Sequence, residues 1–373
     1  MWLNLCILIL LLFTCLYLEQ AEFNKSISAN KSVGYLIFVS SLLLILQSGL
    51  RNVAVGPDTY AYVRNFQSVM NTSWSDIFHN FTAVYVDGEG KDPGYYFLVK
   101  LFSSLLPSYR LFLIFIAIVF FTSLFSFIRN YISSKIGVLL ALIAYFAIFY
   151  SFFSVTGCRQ TLATALCLFS IPSIRKQNLF KFILFIAVAF TIHKSSLLFF
   201  PFYFISQVKK PSRIYFIALL CMPFLIKVSN TYAMQLVVLS GSDNYMMYVD
   251  EGTSKATVFI LFYLLISTCL LFVQKDVITN KPEARLIYNA IYIAIFLLPL
   301  TYSSAALMRV VQYYSLFIIV GISYLADPSI RYKGGMLIKI ILSLNVMALI
   351  YKILTSGEQY KFFWQFMELP SNY

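Results

Sequence analysis

The sequence predicts an all-α fold, a polytopic transmembrane helical bundle of about 12 spans (11–13). Three observations predict it. Of 373 residues, 60% are hydrophobic and only 12% are charged, about half the charged share of a soluble domain. Apolar runs of roughly 15–20 residues, close to the length that crosses a bilayer, recur from one end to the other. The alternating segments of roughly 10 residues that build a membrane barrel are missing. A helix is then the structure that satisfies every backbone polar group within its own segment in lipid.

The expected spans are 2–18, 33–50, 110–128, 135–153, 157–173, 179–193, 195–206, 212–228, 256–274, 286–301, 306–326 and 335–353. The first has the look of a secretion signal. It lacks a basic leading region and a small-residue cleavage site, so it is expected to stay as a span. The six cysteines (Cys6, Cys15, Cys158, Cys167, Cys221 and Cys269) lie in or beside apolar runs. They read as small hydrophobes, without disulfide or metal spacing. No internal repeat is visible, so 1–373 is expected to form one integral membrane domain, with 51–109 as a long extramembrane loop.

Lysine and arginine orient the bundle. The connections 19–32, 129–135, 174–181, 207–213, 275–285 and 327–333 hold 15 Lys/Arg and 5 Asp/Glu, against 12 and 10 on the other side. The positive-inside bias makes the first set cytoplasmic. Both ends of the chain and the loop 51–109 then lie outside. The formal charge of +13 follows from this topology and predicts no nucleic-acid partner, whose footprint would be contiguous and soluble.

Residues 179–206 are flanked on both sides by basic clusters, SIRKQNLFK and QVKKPSR. They read as a tight hairpin whose apex, TIHKSS, carries His193 near the outer side. In the outer loop, DPGYYFLVKLFSSLLPSYR opens with a Pro-Gly turn. It then spaces Tyr95, Leu98, Leu101, Phe102 and Leu105 along one helical face, as a short in-plane or re-entrant helix would. The aromatic end, YKFFWQFMELPSNY, reads as an interfacial anchor.

Polar chemistry gathers at the outer ends of the spans. In RNVAVGPDTYAYVRNF, Arg51 and Asp58 flank a Val-Gly-Pro turn, and Tyr62 stands one helical turn after Asp58. Plain alternatives are a snorkelling anchor for Arg51 and a helix cap for Asp58. GCRQTLATALCLFS carries Arg159 and Gln160 into a span, and SSAALMRVVQYY carries Arg309, with Gln312 and Tyr313 a turn on. Ionisable groups so placed face a bundle interior or an aqueous cavity. Arginines suit a pyrophosphate, which guanidinium binds as a fork.

Arg159, His193 and Arg309 are expected to meet at one outward-facing cavity, with Arg51 and Asp58 at its rim. His193 is the expected general base, histidine being the side chain whose ordinary pKa lies nearest neutrality; Asp58 is the alternative. The other histidine, His79, has no supporting context. There is no P-loop and no H-E-x-x-H, and the acidic run DGEGKD at 87–92, acidic enough for a weak divalent-ion site, reads rather as solvated loop. No metal and no cofactor are expected.

The stretches RNVAVGPDTYAYVRNF, DPGYYFLVKLF, CRQTLATALCLFS and AFTIHKSSLLFFPFYF, in that order, resemble the EpsG-like family of membrane proteins. That family includes many Wzy-type O-antigen and capsule polymerases. The resemblance runs from Arg51 to about Arg309, and Val55 to Tyr62 matches the pattern VG-x-D-T-x-x-Y. It implies a multi-pass glycosyltransferase of the bacterial inner membrane, with its active site facing the periplasm and a role in lipopolysaccharide biosynthesis. Such an enzyme moves the growing glycan from undecaprenyl diphosphate onto the sugar of a new undecaprenyl-diphosphate-linked repeat unit, without nucleotide, beside a Wzz-type chain-length regulator. Two alternatives stand beside it. An O-antigen ligase or other polyprenyl-dependent glycosyltransferase would share the diphosphate site. A flippase or transporter would carry charges at mid-span in several helices, whereas here they cluster at outer ends.

Overall fold

The structure, a computed structural model, describes residues 2–56, 58–239, 253–302, 305–328, 330, 335–357 and 359–366. Among these the fold is helical, with one isolated antiparallel bridge between Arg51 and Phe362. Two compact units divide the chain: Met1–Leu197 with Met347–Tyr373, and Leu198–Val346.

The first unit opens with α1 (Trp2–Phe23) and α2 (Ala29–Gly49). Each exceeds 20 residues, about 30 Å of helix and one bilayer core. The expected outer loop is itself folded into three helices, α3 (Thr59–Asn71), α4 (Trp74–Thr82) and α5 (Pro93–Leu105). Local chemistry starts each one. Ser73 caps α4 by accepting from the Asp76 amide at 3.1 Å, and its hydroxyl donates to the Asp76 carboxylate at 2.7 Å. Pro93 takes the first turn of α5, where a missing N–H costs nothing. The helix expected within 92–110 is therefore present, with two more ahead of it.

The 23-residue α6 (Tyr109–Tyr131) follows. The expected span 135–153 is α7 (Lys135–Ala144) continued by two π-helical turns to Thr156, and 157–173 is α8 (Cys158–Arg175). α9 (Leu179–Ile192) ends at His193, and the chain passes into a 3-10 turn, Lys194–Phe199.

The second unit holds α10 (Phe202–Ile205), α11 (Pro211–Leu239), α12 (Thr253–Asn280), α13 (Ala284–Leu297), α14 (Ala305–Ser315) and α15 (Ile318–Leu325). α16 (Gly335–Thr355) crosses the division between the units. The expected helix 195–206 is thus a 3-10 turn and a short α-helix. Pro201, which cannot donate to the ladder, separates them.

Among the described residues seven helices are long and apolar enough to cross a membrane: α1, α2, α6, α16 and stretches 211–228, 257–280 and 284–301. An eighth follows if α14 and α15, bent by 42°, make one span.

Ion pairs and a cation–π contact tie together connections to which the charge pattern assigns one side. Lys135 Nζ meets Glu22 Oε1 at 2.8 Å, and Arg175 lies 5.7 Å over the Tyr131 ring. Within the second unit, Lys281 Nζ meets Asp327 Oδ2 at 2.5 Å. Arg51 stands at the opposite end of α2 from the Glu22 pair. Reporter fusions at Asp87 and at Lys209 are expected to report opposite sides of the membrane. Both on one side would sink the charge-based orientation.

Candidate active site

The chemistry of the first unit converges on Asp92. It is the residue before α5, and it adopts the left-handed conformation, φ 54° and ψ 50°, which few non-glycine residues enter and aspartate tolerates better than most. An aspartate there ordinarily caps its helix. The Asp92 side chain makes no such bond. Its Oδ2 instead receives Arg159 Nη1 at 3.0 Å and faces His193 Nδ1 at 3.4 Å, while its Oδ1 accepts the Lys194 amide at 3.2 Å. Three segments distant in sequence therefore meet on one carboxylate.

Each partner has a local reason for its position. Gly157 ends the π-helical turns and releases α8, so that Arg159 falls in the first turn of that helix. His193 is extended, φ −156° and ψ 109°, just past the last turn of α9; its amide reaches the Ala189 carbonyl at 2.8 Å. Close approach of α5 to this end of α9 requires Gly94. A Cβ there would stand 2.1 Å from Thr191 Oγ1 and 2.8 Å from the Thr191 carbonyl carbon. Beneath the cluster, Phe66, Val69, Tyr95, Val99, Phe112, Leu162 and Ile192 form one buried core shared by α3, α5, α6, α8 and α9.

The Arg159 guanidinium lies over two rings, 5.7 Å from Tyr62 and 5.5 Å from Tyr95, both attractive placements for a cation. Burial pushes the Tyr95 phenol well up, so this ring stays neutral. Burial alone would raise the Asp92 carboxyl too. The hydrogen bond and charge of His193, the Arg159 guanidinium and the Lys194 amide outweigh it and hold the carboxyl below the usual range. A depressed carboxyl stabilises the fold above its unfolded value of about 3.9. That contribution is lost only as pH falls through the lower folded value. Asp92 is thus a carboxylate at any pH near neutrality. Its side chain is 5% exposed, against 21% for Arg159 and 18% for His193. The imidazole and the guanidinium are the parts a ligand can reach.

A sequence model of the family described as the EpsG family matches residues 34–366. The chain belongs to the EpsG family. EpsG proteins are Wzy-like polysaccharide polymerases, and membership makes this chain a glycosyltransferase-like polymerase of that kind. The same comparisons give no match among curated proteins and none among solved structures.

The sequence candidates in this EpsG chain fall into three groups. Arg159, His193 and Tyr62 come together, and Gln160 is buried beside Arg159 at 2% exposure. Arg51 makes other bonds. It is buried, with Nη1 donating to the Ser48 carbonyl at 2.6 Å and Nη2 to the Val155 carbonyl at 3.0 Å. It therefore joins the end of α2 to the turns before α8. Asp58 precedes α3, where a helix start was expected, but its side chain makes no capping hydrogen bond.

Arg309 and Tyr313 lie on α14 of the second unit, Tyr313 buried and Arg309 partly exposed. His79 on α4 is exposed, and so are Asp87 and Glu89 of the acidic run, but its last residue, Asp92, is buried, so the solvated-loop reading fails there. Of the aromatic end, 360–366 is pinned beside Arg51, and 367–373 lie outside the described residues.

The residue that sequence reasoning missed is Asp92. Its signal was present in DPGYYFLVKLF, where an acidic residue opens the turn, but turn chemistry alone accounts for an Asp before Pro-Gly. Arg51 yields a prediction of its own. Arg51→Ala leaves two buried carbonyls without donors, at about 1.5–3 kcal/mol per charged hydrogen bond. Thermal denaturation in detergent is expected to show a clear loss of stability, with activity per folded molecule retained. Normal stability together with lost activity would instead make Arg51 a substrate contact.

Proposed function

We propose that this EpsG protein polymerises a lipid-linked glycan by glycosyl transfer at the outer face of the bacterial inner membrane, and that Asp92, His193 and Arg159 are the reacting group. The observation that carries this reading is the single carboxylate oxygen shared by a histidine and an arginine. Asp92 engages Nδ1 of His193, which leaves Nε2 as the nitrogen to offer. Nε2 accepts the proton of the acceptor-sugar hydroxyl, the general-base part of the reaction.

The acceptor oxygen bonds to the anomeric carbon of the donor glycan as the bond from that carbon to the diphosphate oxygen breaks. The diphosphate leaves with the electron pair, remaining on its polyprenyl carrier, undecaprenyl in a bacterium. Arg159 stands where that developing negative charge is stabilised, fixed by two rings and a carboxylate before the substrate arrives. Asp58 is the alternative base. Arg309 and Tyr313 are substrate-binding candidates of the second unit. A Wzz-type chain-length regulator is the expected protein partner.

The test is the lipopolysaccharide banding of a deletion strain. Loss of a polymerase leaves core carrying one repeat unit. Core without any repeat would assign the chain to ligation, and absence of exported units to flipping. Complementation with Asp58→Asn distinguishes the two bases. A near-normal ladder is expected if His193 is the base, and no ladder if Asp58 is.

A further inference from the structure

A continuous row of six aromatic rings runs over the outside of α4 and α5 to the end of α9. Trp74 lies 5.9 Å from Phe97 and 6.2 Å from Phe78, and Phe78 and Phe97 are 6.0 Å apart. Phe81 lies 6.4 Å from Phe97 and 6.3 Å from Tyr85, and Tyr85 stacks on Phe190 at 5.8 Å. None of the six is buried; Phe78 is 58% and Tyr85 42% exposed. Phe97 packs against the buried core, while the row as a whole keeps open surface, and exposed apolar patches mark ligand or membrane contacts.

The row is directed. Phe190 is in the last turn of α9, three residues before His193. Tyr85 feels the Asp92 carboxylate: burial first, and then that charge, push its phenol up. One end of the row therefore reaches the Asp92, His193 and Arg159 cluster. The other continues along α5, where Leu101 and Leu105, one and two turns past Phe97, are also exposed.

The polar groups along the row are those of Trp74 and Tyr85 themselves and the Lys100 ammonium, 5.9 Å from the Trp74 ring. Positions 74, 78, 81 and 85 follow one helical face, while Ser75, Asp76 and His79 fall on the opposite face. The Lys100 ammonium beside Trp74 donates to the Met70 carbonyl at 2.9 Å. The ring faces are apolar and the row ends at the Arg159 and His193 cluster, so a hydrocarbon chain with an anionic head fits it.

We propose that this row is the track for the first isoprene units of a polyprenyl diphosphate, whose anionic head lies at Arg159 and His193. The proposal rests on the glycosyl-transfer reading above and adds where the lipid lies: outside the helix bundle, along α4 and α5.

Purified protein in detergent, with empty micelles subtracted, is tested for displacement of radiolabelled inorganic diphosphate by geranylgeranyl diphosphate and by unlabelled diphosphate. Wild type is expected to prefer the prenyl compound by about tenfold or more, the contribution of a few buried methylenes. Tyr85→Ala with Phe97→Ala should abolish most of that preference while inorganic diphosphate binds as in wild type, which also shows that the fold survives. Arg159→Ala should weaken both ligands together. A full prenyl preference in the ring variant overturns the track and leaves the reacting group standing. Failure of wild type to bind either ligand overturns both. Loss of the preference in the ring variant with normal binding by Arg159→Ala keeps the track and removes Arg159 from the diphosphate site.

Discussion

Asp92→Asn is expected to give membrane-inserted protein that makes no polymer ladder, only core with a single repeat unit. Asparagine keeps the size of the side chain and can still accept the Lys194 amide at Oδ1. What it loses is charge. Arg159 Nη1 and His193 Nδ1 both face Oδ2, so one substitution releases the proposed base and the guanidinium together. A base without its orienting partner loses about 10²–10⁴-fold in rate.

Leaving Arg159 part-buried without its counter-charge costs about 3–5 kcal/mol in the most buried cases. The 21% exposure of its side chain makes the lower end the better expectation. Because Asp92 is held below the usual carboxylate range, wild-type activity lost between about pH 5 and 8 cannot come from its protonation. The measurement is the ladder, scored against protein abundance in the membrane. A ladder of normal length from Asp92→Asn at normal abundance would reduce the cluster to a structural tie.

Gly94→Ala is expected to abolish polymer through geometry alone. The added methyl would stand 2.1 Å from Thr191 Oγ1, 2.6 Å from Thr191 Cβ and 2.8 Å from the Thr191 carbonyl carbon. The last of these is backbone, so rotation of a side chain cannot relieve the contact. α5 must withdraw by about 1 Å to restore ordinary carbon separations. Asp92 moves with it, and bonds of 3.0 and 3.4 Å to Arg159 and His193 do not survive a displacement of that size. A misplacement of about 1 Å at reacting groups costs about 100-fold. Thr191→Gly in the same chain removes two of the three clashes and should restore part of the ladder. Wild-type polymer from Gly94→Ala would show that close approach of α5 to α9 is not required.

The architecture was legible where the cause is local. Apolar length predicts α1, α2, α6 and α16, because a helix in lipid is dictated by its own residues. The Pro-Gly turn and the helical face after it predict α5, and Gly-Pro-Asp-Thr predicts the start of α3. The neighbouring helix α4 and the division of 195–206 were also written in the sequence, in the Ser73 cap and in Pro201, though both are weaker signals inside segments dominated by hydropathy. The span count is less legible. Segments such as 145–156, wound as π-turns, have the composition of a membrane helix without its regular ladder.

Site residues divide along the same line. His193, Arg159 and Tyr62 were visible because an ionisable or hydroxyl-bearing group at the end of an apolar run is conspicuous in its own segment. Arg51 was equally conspicuous, and the tertiary structure assigns it to carbonyls of Ser48 and Val155. Asp92 was inconspicuous, since a turn explains an aspartate before Pro-Gly. What made it the centre is the meeting of α5, α8 and α9, enforced by a glycine packed on Thr191 and a core of rings beneath. The sequence alone determined most of the long helices, which family the chain resembles and which residue types are available for chemistry. Only the tertiary structure decided which carboxylate meets the imidazole and the guanidinium, because that depends on contacts between residues 67 and 101 positions apart, and no local pattern encodes a distance of that kind.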